Sequence, residues 1–535
     1  MRVADFYCGG GGFSEGFRQA GFEIVFAVDK WEPAVKTARA NKPDCVVIQD
    51  DVIRISKLPD AEFNELIPDT EIIIGSPPCI AFSSSNKAGN GDKTLGLELL
   101  KAYLRIVARK KYKDNSILQY WVLENVPNIE KYIKEEYYPV DLEVEGDFCF
   151  RPKGESAGIY NAKNFGAPTN RKRFFCGDFP IPEETHTDET VLTLKRVLDS
   201  LGKPKKRDKT PIEDCCYPGL SMDRKAVTDH HYDYYLQSFE WEKAKRLKED
   251  RGYMGRMAFP ENLDKPSRTV MATMSSSSRE SMVLSDSIGN YRLPTIREVA
   301  TMMSFPIDYQ FYGSSKGIKH TLVGNAVPPK MSYAIAKAIA IDSGRPIPEC
   351  YIPIQHKPEV EFKNLNNESF EPKKEKVKRD IAKFKYHIPY LIEEAFRVEL
   401  TNNQSVFDVK DFKWSVEIHH GQGKNKARIY NPFIKEDDLD KVTCDELKKF
   451  TKNIIAIMPK SHNRFQEIHC MTSEERNLGN FIGPYELLNL VKEYLTMNRG
   501  IFTNKYMHIS EELPRLPQII GIGYFILNQM VESME

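Results

Sequence analysis

Arg2-Val3-Ala4-Asp5-Phe6-Tyr7-Cys8-Gly9-Gly10-Gly11-Gly12-Phe13 opens the chain with a short apolar run that breaks into four glycines, then continues into an amphipathic stretch through Ser14, Phe17 and Gly21. Strand, tight turn and helix in that order make the first half of a βαβ unit. The pattern repeats: apolar or β-branched runs at residues 2–6, 24–28, 46–49, 72–74, 121–123 and 173–177 alternate with helical stretches. This alternation over residues 1–180 predicts an α/β fold with a Rossmann-like, doubly wound parallel sheet. Ligands of such sheets bind outside the carboxyl ends of the strands, so the turns after these runs hold the candidate chemistry.

Glycine lets a backbone turn tightly and approach a ligand that a Cβ would exclude. About 20 residues beyond the glycine loop, Asp29 ends the second run where an acidic side chain binds ribose hydroxyls. Trp31 stands to cover an adenine face, and Asp51, after the third run, to hold the adenine amino group. The spacing predicts a nucleotide or nucleoside cofactor; the alternative is a set of loops that only connect strands.

The run Ile72-Ile73-Ile74 leads into Gly75-Ser76-Pro77-Pro78-Cys79, where two prolines fix the backbone immediately before a thiol. A lone cysteine is usually a small buried hydrophobe, the reading given to Cys8 and Cys176. Its Pro-Pro mount and the polar Ser83-Ser84-Ser85-Asn86 that follows set Cys79 apart. Trp121-Val122-Leu123-Glu124-Asn125-Val126-Pro127 then brings a carboxyl to the end of another strand, either as a helix cap or as the partner of Cys79. Arg171 and Arg173, two apart, share a face of an extended segment and suit a phosphate or a carbonyl oxygen; a solvated basic patch is the alternative.

Gly-Ser-Pro-Pro-Cys, Glu-Asn-Val, Arg-Lys-Arg and Gly324-Asn325-Ala326-Val327-Pro328-Pro329, in this order over residues 1–342, resemble the DNA cytosine-5 methyltransferase family. The resemblance implies transfer of a methyl group from S-adenosylmethionine to C5 of a cytosine in double-stranded DNA. By it, Cys79 attacks C6, Glu124 hydrogen-bonds N3 and the exocyclic amine, and Arg173 holds O2 with Arg171 close by. The base must leave the stack, at a cost of a few kcal/mol, for any of this to occur. Tyr7, Gly9, Gly11, Gly12, Phe13, Asp29, Trp31, Asp51, Pro78 and Asn325 make up the expected cofactor site. The chain departs from the family pattern at Tyr7, often Phe, and at Thr169, usually Gln. A few relatives of the family methylate transfer RNA with the same core.

The resemblance makes residues 181–266 an inserted target-recognition domain, with the core returning over 267–345. Lys203, Lys205, Lys206, Arg207 and Lys209 are expected at phosphates, and Arg251, Arg256 or His230 at base edges. Prolines 346, 348, 353 and 358 and the charged run 373–379 mark residues 346–380 as a linker, leaving 381–535 as a separate α+β unit. In that unit His419-His420, Asn453, His462 and His469 resemble the HNH nuclease pattern. This implies a ββα metal fold in which His419 and His462 hold a divalent cation, His420 is the base that activates water, and Asn453 orients His420 across the hairpin. The chain would then be a restriction-modification protein; the competing reading is a methyltransferase whose last domain only binds DNA. Against the HNH pattern, paired CxxC motifs are missing and Gly421 replaces an apolar residue.

With 535 residues the chain has room for two to four domains at roughly 100–200 residues each. Lys plus Arg and Asp plus Glu both number 76, so a DNA site must be a local basic concentration rather than a whole-protein field. Neither a signal peptide nor an apolar run of about 18 residues is present, which predicts a cytoplasmic protein of a prokaryotic cell or its phage, with no membrane partner. Ten scattered cysteines read as reduced thiols, and methylation as the work of a monomer.

Overall fold

The computed structural model describes residues 1–78, 93–204, 209–249, 257–286, 289–356, 362–421, 427–434, 441–502, 506–509, 513 and 515–535. They form two compact units: 1–235, 260–275 and 280–371 make the first, and 236–259, 276–279 and 372–535 the second.

The first unit is built on seven strands: β1 Arg2–Phe6, β2 Glu23–Asp29, β3 Val46–Gln49, β4 Ile72–Gly75, β5 Tyr120–Asn125, β6 Gly158–Asn161 and β7 Lys172–Asp178. Their order across the sheet is β3-β2-β1-β4-β5-β7-β6. β1 to β5 run parallel, and the order reverses between β1 and β4, the switch point at which α/β sheets bind ligands. The last expected strand is corrected in direction, because β7 is antiparallel to both β5 and β6. A parallel return needs a crossover of a dozen or more residues, usually helical. Between β5 and β6 the described helices are only the 3₁₀ segment Pro127–Tyr132 and the single turn Pro139–Leu142.

Both faces of the sheet are covered, so Ile72, Ile73 and Ile74 are all buried. One face packs on α1 Gly12–Gln19, whose Phe13 and Phe17 point inward; α2 Glu32–Asn41 follows β2. The other face packs on α3 Thr94–Lys111 through Leu100, Tyr103 and Leu104. α4 Lys316–Asn325 and α5 Pro329–Asp342 return to the core, α5 joining α1 through Met331, Ile335 and Ile339.

The region expected as one inserted domain is divided: 181–235 fall in the first unit and 236–259 in the second. Residues 346–371, expected as linker, are part of the first unit. Ile352 O accepts from Arg18 Nη2 at 2.9 Å and Gln19 Nε2 at 3.0 Å, and Ile354 and Leu365 are buried. The prolines and charges of this stretch hide a few apolar anchors that composition averages away. A second anchor is an ion pair with both side chains at 0% exposure: Lys319 Nζ lies 2.8 Å from both Asp229 oxygens, donates to Lys363 O, and Asp229 accepts Leu365 N.

In the second unit β8 Lys385–Glu393, β9 Phe396–Thr401, β10 Ser415–His420 and β11 Arg428–Tyr430 form one antiparallel sheet in chain order. Helices α6 Lys441–Ile455, α7 His462–Cys470, α8 Pro484–Met497 and α9 Gln518–Glu532 follow. Val398, Leu400, Val416 and Ile418 alternate onto the sheet face that packs in one core with Ile522, Phe525 and Ile526 of α9. Apolar around most of its circumference, α9 is the central helix of the unit. Among the described residues no helix is long and apolar enough to cross a membrane.

Lys319→Met leaves the Asp229 carboxylate buried without its cation, a change that costs about 3–5 kcal/mol. Denaturant unfolding of the full chain should show that loss in the first unit's transition; a loss below about 1 kcal/mol would mean the pair does not anchor 362–371.

Candidate active site

The parallel strands end level. Phe6 pairs with Val28 on one side and Gly75 on the other, and Gly75 pairs with Leu123. The turns after β1, β2, β4 and β5 therefore share one edge. Ser76 N continues the ladder to Phe6 O at 3.2 Å, while its Oγ donates to Glu124 Oε2. Arg173 Nε lies 3.0 Å from the other oxygen, Glu124 Oε1. Phe175 is the residue directly opposite Glu124 across β5 and β7, so Arg173 is its diagonal neighbour, within reach of a long side chain. Glu124 is 4% exposed and held at both oxygens. Asn125 Nδ2 donates to Pro77 O at 2.9 Å, tying the proline mount to β5. Cys79 lies outside the described residues; Pro78, the last described residue before it, is exposed.

At the cofactor end, Asp29 Oδ2 accepts Gly9 N at 2.9 Å and its Oδ1 accepts Trp31 N at 2.8 Å, so one carboxylate fixes both the glycine loop and the start of α2. Burial raises its pKa above the ordinary range, against the pull of these backbone donors. Tyr7 holds φ +58°, rare for a residue with a side chain, and its hydroxyl donates to Leu99 O at 3.0 Å. Asp51 caps Ile53 N and pairs with Lys30 at 2.8 Å, the hydrogen bond to Lys30 lowering its pKa. Asn325 is exposed at the last position of α4.

The glycines divide their labour in a way their spacing does not reveal. A Cβ on Gly11 would sit 2.1 Å from Tyr309 Oη, and one on Gly12 2.1 Å from Val327 O. These two glycines admit protein, Gly12 letting the loop close against the stretch that carries Asn325, whereas the corresponding direction at Gly9 is open, the nearest atom being Tyr7 O at 3.8 Å. Phe13 belongs to the core, edge-on to Phe175 with ring centres 6.1 Å apart. Beneath the loop, Asp5 is buried and neither of its oxygens accepts a well-formed hydrogen bond among the described residues. Burial pushes its carboxyl up to about 7, with Ser14 and Lys42 opposing only in part. A buried carboxyl without a well-formed hydrogen bond near the glycine loop fits a cofactor that carries a cationic or donor group, as S-adenosylmethionine does.

Arg171 has a different place from the one expected. The strand is interrupted at this residue, and its side chain, 2% exposed, donates to Val270 O at 2.9 Å, Gly324 O at 3.0 Å and Ala326 O at 3.1 Å. It is a positioning residue that joins the arginine motif to the Gly-Asn-Ala motif, while Arg173 alone turns to Glu124. His230 is likewise internal rather than a base reader: at 0% exposure it hydrogen-bonds Thr295 Oγ1 and Leu201 O, and burial lowers its pKa to about 4. Lys205, Lys206, Arg207, Arg251 and Arg256 lie outside the described residues.

The HNH residues are not brought together. His462 Nδ1 accepts Trp414 N at 3.1 Å, at the start of β10, whereas His419 is five residues on, about 16 Å along the strand. Consecutive strand residues face opposite ways, so His420 points away from His419 and stacks on Phe396 with ring centres 3.9 Å apart. Asn453 is exposed on α6, and His469 packs edge-on against Phe384 and Trp414. His419 instead meets Glu399 and Glu417, two residues the sequence reading passed over although strand alternation puts them on its face. Ser76, Asn125 and Asp5 were also missed; each sits inside a quoted motif, but what it holds depends on a neighbouring strand.

A mainly parallel sheet with its switch point at a glycine loop, facing a buried Glu–Arg pair beside a proline-mounted turn, defines an α/β enzyme that works on a ligand at its carboxyl edge. The chain belongs to the C-5 cytosine-specific DNA methylase family, whose model matches residues 1–340. It is 27% identical over 371 residues to the type II methyltransferase M.MthTI of Methanothermobacter thermautotrophicus, covering 64% of this chain and 98% of that one. To the type II methyltransferase M1.HphI of Haemophilus parahaemolyticus it is 27% identical over 367 residues, 63% of this chain and 86% of that one. Among solved structures the Dnmt2 methyltransferase of S. pombe aligns with a TM-score of 0.41 at 18% identity, over 63% of this chain and 97% of that one.

Asp5 offers a test of the buried edge. Its folded-state pKa, about 7, lies above the unfolded value of 3.8, so its contribution to stability is complete below pH 4 and is lost as pH rises to 7. Asp5→Asn removes that slope: in cofactor-free protein its Tm relative to wild type should climb between pH 4 and 7 and then level off. Parallel Tm curves would show that Asp5 titrates normally.

Proposed function

We propose that the chain transfers a methyl group from S-adenosylmethionine to C5 of a cytosine in a specific duplex DNA sequence, as the methylating partner of a restriction-modification system. The observation that carries this reading is Glu124, gripped by Ser76 and Arg173 at the level strand ends, with the neighbouring Asn125 bonded to Pro77 of the Pro77-Pro78 pair that precedes Cys79 in the sequence. When bound, the cofactor supplies an electrophilic methyl group on sulfur. Tyr7, Gly9, Asp29, Trp31, Asp51, Pro78 and Asn325 would hold it, with Gly11, Gly12 and Phe13 shaping the loop behind.

The residues divide the remaining work. The Cys79 thiolate adds to C6 and makes C5 enamine-like, a nucleophile that neutral cytosine lacks. Glu124 hydrogen-bonds N3 and the exocyclic amine, and Arg173 holds both Glu124 and the cytosine O2. After methylation the C5 proton leaves and the bond to Cys79 breaks. The base reaches this site by rotating out of the duplex. Ser76 keeps Glu124 from swinging, and Asn125 keeps the proline mount in register with it. An HNH nuclease reading of the second unit lacks its metal pair, because His419 and His462 stand at opposite ends of β10.

Cys79→Ala should abolish transfer of labelled methyl groups to duplex DNA and the covalent complex with DNA carrying 5-fluorocytosine, while DNA binding persists. Glu124→Gln should lower kcat by about 10²–10⁴-fold, and Ser76→Ala by less. Turnover by Cys79→Ala would exclude the covalent route, and methylation of transfer RNA in preference to duplex DNA would reassign the substrate.

A further inference from the structure

On β9 and β10, Glu399 is paired with Glu417 and Arg397 with His419. Alternation turns Arg397, Glu399, Glu417 and His419 to the face opposite the apolar core, and β8 adds Lys385 to it. His419 Nε2 lies 2.8 Å from Glu417 Oε2 and 3.2 Å from Glu399 Oε2. Lys385 Nζ stands 3.3 Å from Glu399 Oε2 and 3.5 Å from Glu417 Oε2, and Arg397 Nε 2.6 Å from Glu399 Oε1.

Two further features distinguish this cluster from an ordinary surface network. Its centre is buried, with Glu399 5% and His419 3% exposed and Glu417 half-buried beside them. Glu399 Oε2, although within ion-pair reach of His419 and Lys385, accepts no well-formed hydrogen bond among the described residues, so a buried carboxylate oxygen is left with lone pairs to offer beside the other two ligand atoms. The three ligand atoms lie within 4.8 Å of one another. An ion with bonds of about 2.1 Å sets neighbouring ligand atoms about 3.0 Å apart in octahedral and about 3.4 Å apart in tetrahedral geometry. The separations of 2.8 and 3.2 Å already match those edges.

We propose that Glu399, Glu417 and His419 form a divalent-cation site and make the second unit a metal-dependent phosphodiesterase acting on DNA. Two carboxylates and an imidazole suit Mn²⁺ or Mg²⁺ and leave coordination positions for water and a phosphate oxygen. With the ion bound, Lys385, whose side chain is 38% exposed, is released to offset the charge of the phosphate. Water activated on the ion adds through oxygen to phosphorus, and the bond from phosphorus to the leaving oxygen breaks. One proton of that water ends on the leaving oxygen, and the other is released as the new phosphate monoester ionises. The hydrolytic step rests on the reading of the chain as a DNA enzyme; the metal site does not.

Full-length protein freed of metal with a chelator is titrated with MnCl₂ by calorimetry and electron paramagnetic resonance. One stoichiometric site is expected, its signal showing nitrogen coupling from a single imidazole. Glu399→Gln and Glu417→Gln should each weaken Mn²⁺ binding at least tenfold while retaining wild-type methyl transfer. Absence of a stoichiometric site, absence of nitrogen coupling in the wild type, or unchanged affinity in folded forms of both variants would overturn the site; the wild-type readouts decide even if a variant fails to fold. Plasmid DNA with Mn²⁺ should be nicked or cut by wild type and not by Glu417→Gln. An intact plasmid that the same protein methylates would overturn the hydrolytic role alone, whereas failure to methylate would count against the DNA reading and leave the metal titration standing.

Discussion

The alignment of the parallel strand ends is the constraint on which the methylase site depends. Ladder pairing of Phe6 with Val28 and Gly75, and of Gly75 with Leu123, brings four turns from distant parts of the chain to one edge. Because side chains alternate with a period of two, a one-residue slip of β5 would turn Glu124 to the other face and replace it with Leu123 or Asn125. The bonds from Ser76 to Glu124 and from Asn125 to Pro77 lock that register from the side-chain level as well.

Around this edge the protein uses buried polar groups as fasteners. Arg171 gathers three backbone carbonyls that no sheet or helix would satisfy, and Lys319 with Asp229 closes the first unit over residues 362–371. Such groups are costly to bury and costlier to leave unpaired, which makes each one specific to a single arrangement. Asp5 is the exception: a buried carboxyl without a well-formed hydrogen bond among the described residues, whose burial outweighs the opposing pull of Ser14 and Lys42.

The second unit applies the same alternation to a different end. Its four-stranded sheet commits one face to a core centred on α9 and gathers acid, imidazole and amine on the other. Charged residues buried on a sheet face are seldom kept for stability, since apolar replacements of similar size often serve as well. Their convergence gives the face chemical meaning.

The strand runs of the core, the glycine turn and the positions of the Pro77-Pro78 and Glu-Asn motifs at strand ends were legible in the sequence, because local periodicity and fixed backbone residues act over a few positions. Three things were decided only by tertiary contacts. β7 runs antiparallel because the chain before it offers no crossover helix; Arg171 and Arg173 part company because the strand breaks between them; residues 346–371 are anchored by a handful of apolar and charged contacts that composition conceals. The paired histidines show the limit most plainly. Adjacency in sequence suggested one site, but a strand turns His419 and His420 to opposite faces and gives His419 the company of Glu399, twenty residues away in the chain and one strand away in space.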